Sequence, residues 1–343
     1  MGYIMKGVNI LTRKKTYIIA EMACSHEGDQ DLARTIIAGA TEAGADAIQF
    51  QIWKAEDMVV PSHPDLPLLK KIELSPETWV ALATEVRNSA PEMEIIACVY
   101  ERGIVDFCES IDVDAYKLHT SDLSNPYLIK HVACTGKRID LSVGASTLEE
   151  IRTAVQWIRD ASKSEIWMMY GYQNFPTPTD AIHLEYMMAL RDLFQLPIGY
   201  QDHSGGDLDA AFWLPATAVG MGVDVLEKHI THDRAYKGVD YQAALNPDEF
   251  VRFVEMVREI EAAKGSALPK PFSEEEMKYR VYSKKSVVAA RNLPEGHQIS
   301  EKDFYFMRAT SLGFPPDQAY RLVGKKACRE IPAYDFIREE DVL

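Results

Sequence analysis

Short apolar runs alternate with longer amphipathic stretches from residue 16 to about residue 265. Apolar or β-branched runs of about four to eight residues predict strands, whereas apolar residues that recur at roughly every third or fourth position predict helices. The predicted strands are Tyr17–Glu21, Ala47–Gln51, Glu94–Val99, Ala115–Leu118, Ile139–Ser142, Ile166–Tyr170, Ile198–Tyr200 and Val223–His229. The clearest predicted helices are Asp31–Ala43, Pro76–Ser89, Thr147–Asp160, Ala181–Phe194 and Asn246–Lys264.

The number of these units favours a closed barrel. Eight strand–helix units are what a (β/α)8 barrel requires, and helix-start signals stand at Ser75, Ser146 and Asn246. An open doubly wound sheet is the alternative, but it usually has fewer units and a glycine-rich first turn, which residues 21–26 do not provide. We therefore predict an α/β fold in which residues 1–265 form a TIM barrel.

The pattern changes after residue 265. The next residues contain Pro269, Pro271 and an acidic run, and we interpret residues 266–280 as a linker. Residues 281–343 then carry short β-like runs separated by turns, which predicts a small, mostly β domain. These runs are Ser286–Ala290, Phe304–Met307 and Lys326–Arg329.

Composition limits the kinds of partner. The 343 residues exceed the roughly 250 of one α/β barrel, and 47% hydrophobic and 26% charged residues are typical of a globular protein. A formal net charge of -15 argues against nucleic acid and against anionic membranes. An anionic substrate would therefore need a locally basic pocket.

Cysteine usage and the N-terminus bear on the compartment. The five cysteines are odd in number and lack paired metal spacing, so we expect reduced thiols in a cytoplasmic protein. The N-terminal region has Lys6 and Arg13 but no apolar core for a signal peptide. No apolar stretch approaches the ~20 residues of a membrane span.

Two histidines are the strongest chemical candidates. His203 and His229 stand near the ends of consecutive strand-like runs, and the C-terminal strand ends of a barrel form its active-site rim. Neutral imidazoles on neighbouring strands, with other coordination positions open, suit a catalytic divalent metal. Hydrogen-bonded rim residues that bind no metal are the alternative.

The other strand ends place further polar residues at the same rim. Glu21 is either a general acid/base or a structural hydrogen-bond partner. Lys117 either pairs with Glu21 or Asp122, or binds an anionic substrate. Ser142 precedes a helix start whose amides could bind phosphate or carboxylate, although similar turns are common. The remaining candidates at strand ends are Gln49, Gln51, Cys98 and Tyr170.

A loop histidine adds one more candidate. His26 follows the first predicted strand and precedes the first predicted helix. It either stabilises this loop or contacts substrate.

Motifs along nearly the whole chain resemble the N-acetylneuraminate (sialic acid) synthase family. The barrel motifs that carry the resemblance are Ile18–Glu21, Ser25–Asp29, Gly44–Gln51, Lys54–Asp57, Asp114–Lys117, Ser121–Asn125, Leu141–Gly144, Phe175–Pro178, Gly199–His203, Glu227–Thr231 and Leu245–Glu249. In the tail, Ala309–Pro316 and Leu322–Lys325 resemble the antifreeze-like (SAF) β-clip domain that ends such enzymes.

The resemblance implies a specific reaction. Such enzymes join phosphoenolpyruvate to the open-chain aldehyde of an N-acetylated amino sugar, releasing phosphate and forming a nine-carbon 2-keto acid. It implies that His203 and His229 hold Mn²⁺ or Mg²⁺, that Glu21 manages a proton, and that Lys117 and Ser142 bind phosphate or carboxylate. Further substrate-binding positions implied by the resemblance are Gln51, Thr120, Asp122, Asn174 and Asp240.

The resemblance also implies a domain-swapped homodimer. In that arrangement Arg308 of the tail reaches the barrel of a partner subunit to recognise the sugar. A solvated surface arginine is the alternative for this residue.

Several positions depart from the family pattern. The family usually has Lys at Gln49 and Ser at Gln201. It also differs at His119, at residues 97–100 and at residues 170–172. A missing lysine weakens a site for an anionic donor, unless Lys54 or Lys228 compensates. The alternatives are a metal-dependent barrel with another aldol, lyase or transferase reaction, or a non-catalytic sugar-binding protein.

Overall fold

Two compact units make up the part of the chain that the structure describes. The structure is a computed structural model that describes residues 15–266 and 269–343. Residues 15–265 form one unit, and the described residues from 266 onward belong to the other. Lys6 and Arg13, considered above for a signal peptide, lie outside the described residues.

The first unit is a closed barrel of parallel strands in sequence order, which confirms the predicted fold class. Each strand pairs with the next, and β8 closes against β1 through a register that joins His229 to Glu21. The strands are β1 (Tyr17–Glu21), β2 (Ala47–Ile52), β3 (Glu94–Val99), β4 (Ala115–Leu118), β5 (Arg138–Ser142), β6 (Ile166–Tyr170), β7 (Ile198–Asp202) and β8 (Val225–His229).

Helices surround this barrel and begin at the expected kinds of residue. Ser75 caps one helix, and Thr147 with Glu150 forms a capping box on another. The helices are α1 (Gln30–Ala43), α2 (Ala55–Met58), α3 (Leu66–Ile72), α4 (Pro76–Ser89), α5 (Arg102–Ser110), α6 (Pro126–Cys134), α7 (Leu148–Ala161), α8 (Leu184–Phe194), α9 (Ala210–Met221) and α10 (Pro247–Lys264). Short 3₁₀ segments lie at Thr120–Asp122, Thr179–Ala181, Arg234–Tyr236 and Tyr241–Ala243.

Strand alternation decides which residues reach the barrel interior. On β2, Ile48 and Phe50 pack outward in the main core beneath the helices, whereas Ala47 belongs to a separate apolar cluster inside the barrel. Gln49 and Gln51 share the inward face with Ala47 because side chains alternate along a strand. The inner cluster also contains Ile19, Ile96, Ala115, Trp167, Met169 and Val225. Polar residues occupy the interior nearer the carboxyl ends of the strands.

The second unit contains a two-stranded antiparallel sheet. Its strands are β9 (Lys285–Ala289) and β10 (Phe304–Arg308), and 3₁₀ segments lie at Glu301–Asp303, Pro316–Arg321 and Glu339–Asp341. The β-like run at Lys326–Arg329 does not form a regular strand; within it, Lys326 and Ala327 make isolated β-bridges to Gln298 and Val342. The segment interpreted as a linker contains the start of helix α11 (Glu274–Ser283), which a capping box between Ser273 and Glu276 initiates.

None of the helices within 15–266 and 269–343 is both long and apolar enough to span a bilayer.

Candidate active site

A buried ion pair lies at the centre of the candidate site. The Lys117 ammonium is 2.5 Å and 2.6 Å from the two carboxylate oxygens of Glu227, and the two side chains are 3% and 2% exposed. The expected partners, Glu21 or Asp122, were therefore wrong. Inside a barrel a lysine needs an anion, because an unpaired buried charge is costly, and Glu227 on β8 supplies it from across the interior.

Two hydrogen bonds connect this ion pair to β5. The Gln201 amide nitrogen donates to Glu227 at 3.0 Å, and the Ser142 hydroxyl donates to the Gln201 carbonyl oxygen at 2.9 Å. All of these side chains are buried. Gln201 therefore fixes the Glu227 carboxylate in place and links two residues of the candidate site.

Glu21 stands at the end of β1 as a buried carboxyl group. It accepts hydrogen bonds from the Ala23 amide at 2.6 Å and from the Gln51 side chain at 3.4 Å. Burial raises its pKa from the ordinary 4.5 to about 8, with Lys117 opposing this shift and Glu227 adding to it. A carboxyl group with a pKa near neutral pH is suited to proton transfer.

His203 and His229 lie side by side at the rim, as their strand positions predicted. Their ring centroids are 5.3 Å apart, and the Phe175 ring packs on His203 at 4.4 Å. Burial lowers the pKa of both imidazoles, so both are neutral at neutral pH. The Nδ1 of His203 donates to the Tyr172 carbonyl at 2.8 Å, which leaves its Nε2 lone pair available.

The separation of these imidazoles matches that of two histidines that share one divalent ion. Two neighbouring nitrogen ligands of one ion place their ring centroids roughly 4.5–5.5 Å apart, given metal–nitrogen bonds of about 2.1 Å, and 5.3 Å falls in this range. The His203–carbonyl bond is typical support for a metal-ligating histidine. Within the described ranges no group of three or more His, Cys, Asp or Glu side chains is placed to hold a metal. Substrate and water would have to supply the remaining ligands.

Lys228 does not face this site, so the idea that it compensates for a missing lysine was wrong. On β8 Glu227 and His229 point inward and Lys228 points outward. Its ammonium lies 2.8 Å from Asp202 and 3.0 Å from the Ser204 carbonyl oxygen, and it is completely buried. The pair ties the end of β7 to β8. Lys54, the other candidate for compensation, is exposed.

The sequence prediction that Tyr170 faces the active-site rim was also wrong. It belongs to the outer core, and its hydroxyl donates to the Ile182 carbonyl at 3.0 Å. Met169 is the inward residue at this end of β6. A one-residue difference in register reverses the face of a strand residue, which explains the error.

The Gln49 side chain is buried in the barrel interior. It is 0% exposed, and neither its amide nitrogen nor its carbonyl oxygen has a hydrogen bond to the described residues. Its backbone pairs in register with Glu21 on β1.

The other predicted substrate-binding residues take varied positions. Gln51 is half-buried beside Glu21 and accepts from the Tyr100 hydroxyl at 3.2 Å. Asp240 is half-buried near Glu21, and burial raises its pKa. Thr120 donates to the Gly144 carbonyl, and Asp122 accepts from Asn125 at 3.0 Å. Asn174 is exposed on the loop after β6. Arg308 is exposed at the end of β10 in the second unit.

The remaining candidates, His26 and Cys98, lie in surroundings that indicate structural roles. His26 accepts the Gly28 amide at 3.1 Å and packs against Trp79, and burial lowers its pKa to about 4. It stabilises the loop, while Asp29 caps α1. The Cys98 thiol is fully buried, which raises its pKa to about 12. Cys98 is therefore unreactive as a nucleophile.

Sequence reasoning missed Glu227 and the structural role of Gln201. The sequence analysis named Glu227 only as part of a motif. Glu227, Lys228 and His229 form a continuous polar run, and their residue types alone do not indicate which of them point into the barrel. Strand alternation counted back from His229 would have identified Glu227 as inward.

Comparisons with known proteins identify the family of this chain. The NeuB family model matches residues 36–268, and the SAF domain model matches residues 284–343. N,N'-diacetyllegionaminic acid synthase of Legionella pneumophila is 31% identical over 335 residues, covering 92% of each chain. Human N-acetylneuraminate-9-phosphate synthase is 29% identical, covering 95% of this chain and 92% of its own. The crystal structure of N-acetylneuraminic acid synthetase from Leptospira borgpetersenii, in complex with citrate, has a TM-score of 0.71 at 27% identity, covering 81% of this chain and 95% of that chain.

Proposed function

This chain belongs to the NeuB family, and we propose that it condenses phosphoenolpyruvate with the open-chain aldehyde of an N-acetylated amino sugar to form a nonulosonic acid. Its relatives include synthases of legionaminic acid and of N-acetylneuraminate 9-phosphate, which supports a condensation of this type. The observation that carries the proposal is the meeting of Glu21, the Lys117–Glu227 pair and two neutral histidines at one end of the barrel.

The proposed chemistry balances with water as the third reactant. The C3 carbon of phosphoenolpyruvate forms a bond to the aldehyde carbon while a water oxygen adds to C2. The aldehyde oxygen takes up a proton and becomes a hydroxyl group. The C2–oxygen bond to phosphate then breaks, inorganic phosphate leaves, and the C2 hydroxyl loses its proton to give the 2-keto acid.

Lys117 is the proposed anchor for the donor phosphate. An ammonium group has three N–H donors, and the two oxygens of Glu227 engage two of them. The third N–H group of Lys117 can then donate to a phosphate oxygen of the donor. Ser142 is connected to the Lys117–Glu227 pair through Gln201 and precedes the loop that leads to the N-terminus of α7, where free backbone amides favour an anion.

Glu21 is the proposed proton acceptor for the water that adds to C2. Its raised pKa makes it a much stronger base than an exposed carboxylate when it is ionised. The Ala23 amide and Gln51 hold one of its oxygens in place. The other oxygen can then receive the proton.

His203 and His229 are the proposed ligands of Mn²⁺ or Mg²⁺, which would polarise the aldehyde carbonyl when bound. The Tyr172 carbonyl accepts a hydrogen bond from the Nδ1–H group of His203, so Nε2 would be the nitrogen that binds an ion. Phe175 packs on both rings and limits access of bulk water.

The acceptor sugar is proposed to lie above this centre, at the rim. Gln51, Asn174 and Asp240 surround that region and offer hydrogen-bonding groups. Arg308 of a partner subunit is proposed to complete the sugar site in a domain-swapped homodimer. Its exposure and its place in the matched SAF domain support this role.

A second candidate is the same barrel chemistry with a less highly charged donor. The eight strands carry three cations, Lys117, Arg138 and Lys228. Arg138 pairs with Glu94 and Asp140 at the opposite end of β5, and Lys228 points outward. Lys117 is therefore the one strand cation at the site, and Glu227 already neutralises it.

The proposal is tested by measuring phosphate release from phosphoenolpyruvate. The assay uses purified protein, Mn²⁺ and a panel of N-acetylated amino sugars, phosphorylated and not. We expect release only when one of these sugars is present. Consumption of a sugar with pyruvate as the donor, but not with phosphoenolpyruvate, would favour the second candidate, and inactivity with every pair would remove both.

A further inference from the structure

His119 follows the last residue of β4 and continues the inward face of that strand. Its backbone is extended, with φ of -70° and ψ of 151°, so the alternation of side chains along β4 carries on past the end of the strand. Lys117 points inward to Glu227, and Leu118 packs in the outer core. His119 therefore lies one inward position above Lys117, roughly 7 Å nearer the rim.

The contacts of the His119 ring place it beside the candidate site. Its centroid lies 5.7 Å from that of the Tyr100 ring, and the Tyr100 hydroxyl donates to the Gln51 side chain at 3.2 Å. Gln51 in turn donates to Glu21 at 3.4 Å. His119 and Gln51 therefore border the same part of the rim, where the acceptor sugar is proposed to bind.

The hydrogen bonds of His119 fix the position of its ring proton. Nδ1 accepts the backbone amide of Ser121 at 3.3 Å, and the Ser121 hydroxyl lies 2.9 Å from the same nitrogen. Because a backbone amide can only donate, Nδ1 is unprotonated. Burial lowers the pKa of His119 to about 4, and Lys117 adds to this shift, so the ring is neutral at neutral pH. A neutral imidazole carries one proton, which is therefore on Nε2.

This tautomer is the opposite of the one at His203. There Nδ1 donates to the Tyr172 carbonyl, so Nε2 offers a lone pair. At His119 Nε2 offers an N–H group, and no described residue accepts a hydrogen bond from it. A half-buried N–H group without an acceptor suits an oxygen atom of a ligand. The donor phosphate is proposed to bind deeper, at Lys117, so the acceptor sugar supplies that oxygen.

We infer that His119 is a specificity-determining residue whose Nε2–H group donates to the acetamido carbonyl oxygen of the acceptor sugar. An amide carbonyl is a stronger hydrogen-bond acceptor than the hydroxyl groups on the rest of such a sugar, so a lone N–H donor favours it. This inference rests on the proposed function, because it places an N-acetylated sugar at the rim.

Two substitutions separate the ligand role of His119 from its role in the loop. His119→Asn places a carbonyl oxygen near the Nδ1 position, so it can still accept the Ser121 amide, but it is too short to replace Nε2. His119→Gln is longer and places an amide N–H group near the Nε2 position, so it restores the proposed donor. Nuclear magnetic resonance of the histidine ring nitrogens, assigned by comparison with His119→Asn, locates the proton in the wild type. We expect it on Nε2.

Open-chain sugar alcohols, which cannot react, test the inference without turnover. The probes are the alditols of N-acetylmannosamine and N-acetylglucosamine, compared by calorimetry with mannitol and glucitol, which lack the acetamido group. We expect the wild type to bind the better acetamido alditol about tenfold more tightly than its parent alditol. His119→Asn should lower this preference by about fivefold or more, and His119→Gln should retain most of it. Inorganic phosphate should bind all three proteins within about twofold. These results together support the inference.

Other results overturn it. They are a ring proton on Nδ1, an unchanged acetamido preference in His119→Asn, a preference in His119→Gln as low as in His119→Asn, a loss of phosphate binding in His119→Asn, and no binding of any alditol by the wild type.

The turnover assay separates this inference from the proposed function. Turnover of phosphoenolpyruvate together with an unchanged acetamido preference in His119→Asn removes only this inference, whereas the expected binding results without turnover remove only the proposed function.

Discussion

The Lys117 ammonium lies 2.5 Å and 2.6 Å from the two oxygens of Glu227, joining β4 and β8 across the barrel interior. Both residues are almost completely buried. The anion in this pair comes from β8, the strand that also carries His229, so the partner of the proposed donor anchor and one of the proposed metal ligands lie on one strand. Changes to the pair should therefore affect both folding and donor binding.

Removing one partner of the pair should be strongly destabilising. Lys117→Met leaves Glu227 buried without its counter-ion, and we expect a loss of roughly 3–5 kcal/mol in the free energy of unfolding. Urea unfolding measures it. The double variant Lys117→Met/Glu227→Leu removes both charges, so we expect stability to recover while phosphoenolpyruvate binding remains absent. Recovery of donor binding would contradict the anchoring role of Lys117.

The stability of the protein should depend on pH through Glu21. Its pKa rises from the ordinary 4.5 to about 8 on folding, so the folded state binds more protons than the unfolded state between these values. The contribution of Glu21 to the free energy of unfolding is fully present below pH 4.5 and is lost as the pH rises towards 8. Glu21→Gln cannot ionise, so we expect its stability relative to wild type to grow by a few kcal/mol from pH 5 to pH 8.5. A constant difference across this range would show that the Glu21 pKa is not raised.

The metal proposal predicts a specific dependence on His203. We expect His203→Ala to reduce Mn²⁺ binding by at least about tenfold, because one of two protein ligands is lost. Titration followed by electron paramagnetic resonance measures binding without turnover. His131→Ala is the matched control, since His131 lies on α6 and pairs with Asp106 at 2.8 Å. Equal Mn²⁺ binding by wild type and His203→Ala would rule out the proposed site.

Gly171 should tolerate no side chain. A Cβ atom there would lie 2.6 Å from the Gln201 carbonyl oxygen and 2.7 Å from the Gln201 Cβ. We expect Gly171→Ala to displace β7, lowering the melting temperature by several degrees and reducing turnover. Gly220→Ala is the control, because Gly220 lies on α9 with nothing within 4 Å of its Cβ position, and alanine should stabilise that helix. Similar stability of Gly171→Ala and wild type would contradict the close packing.

The sequence predicted most of the barrel because its strands are short apolar runs with well-defined ends. Six of the eight barrel strands, β1 to β6, begin and end within one residue of the predicted ends. Helix α9 was missed because Ala210–Met221 is apolar on all sides and contains Pro215, so it shows no amphipathic period. Its burial depends on packing rather than on local pattern.

The site was predicted less completely, because it depends on register and on contacts across the barrel. Glu21, Lys117, His203 and His229 were predicted from their positions at strand ends, and the structure places them at that end of the barrel. Side chains alternate between the two faces of a strand. This alternation points Glu227 towards Lys117 and points Tyr170 and Lys228 outward, but a continuous run of polar residues does not show which face each residue takes. The hydrogen bonds of Gln201 depend on neighbours that are distant in the sequence.

The mass of the product tests the central proposal most directly. The protein is incubated with Mn²⁺, phosphoenolpyruvate and the N-acetylated amino sugar that gives the most phosphate release. We expect one new 2-keto acid, whose mass equals that of the sugar plus phosphoenolpyruvate and water minus phosphoric acid, formed in equal amount to phosphate. Phosphate release with free pyruvate as the only carbon product, or no consumption of any sugar, would contradict the condensation.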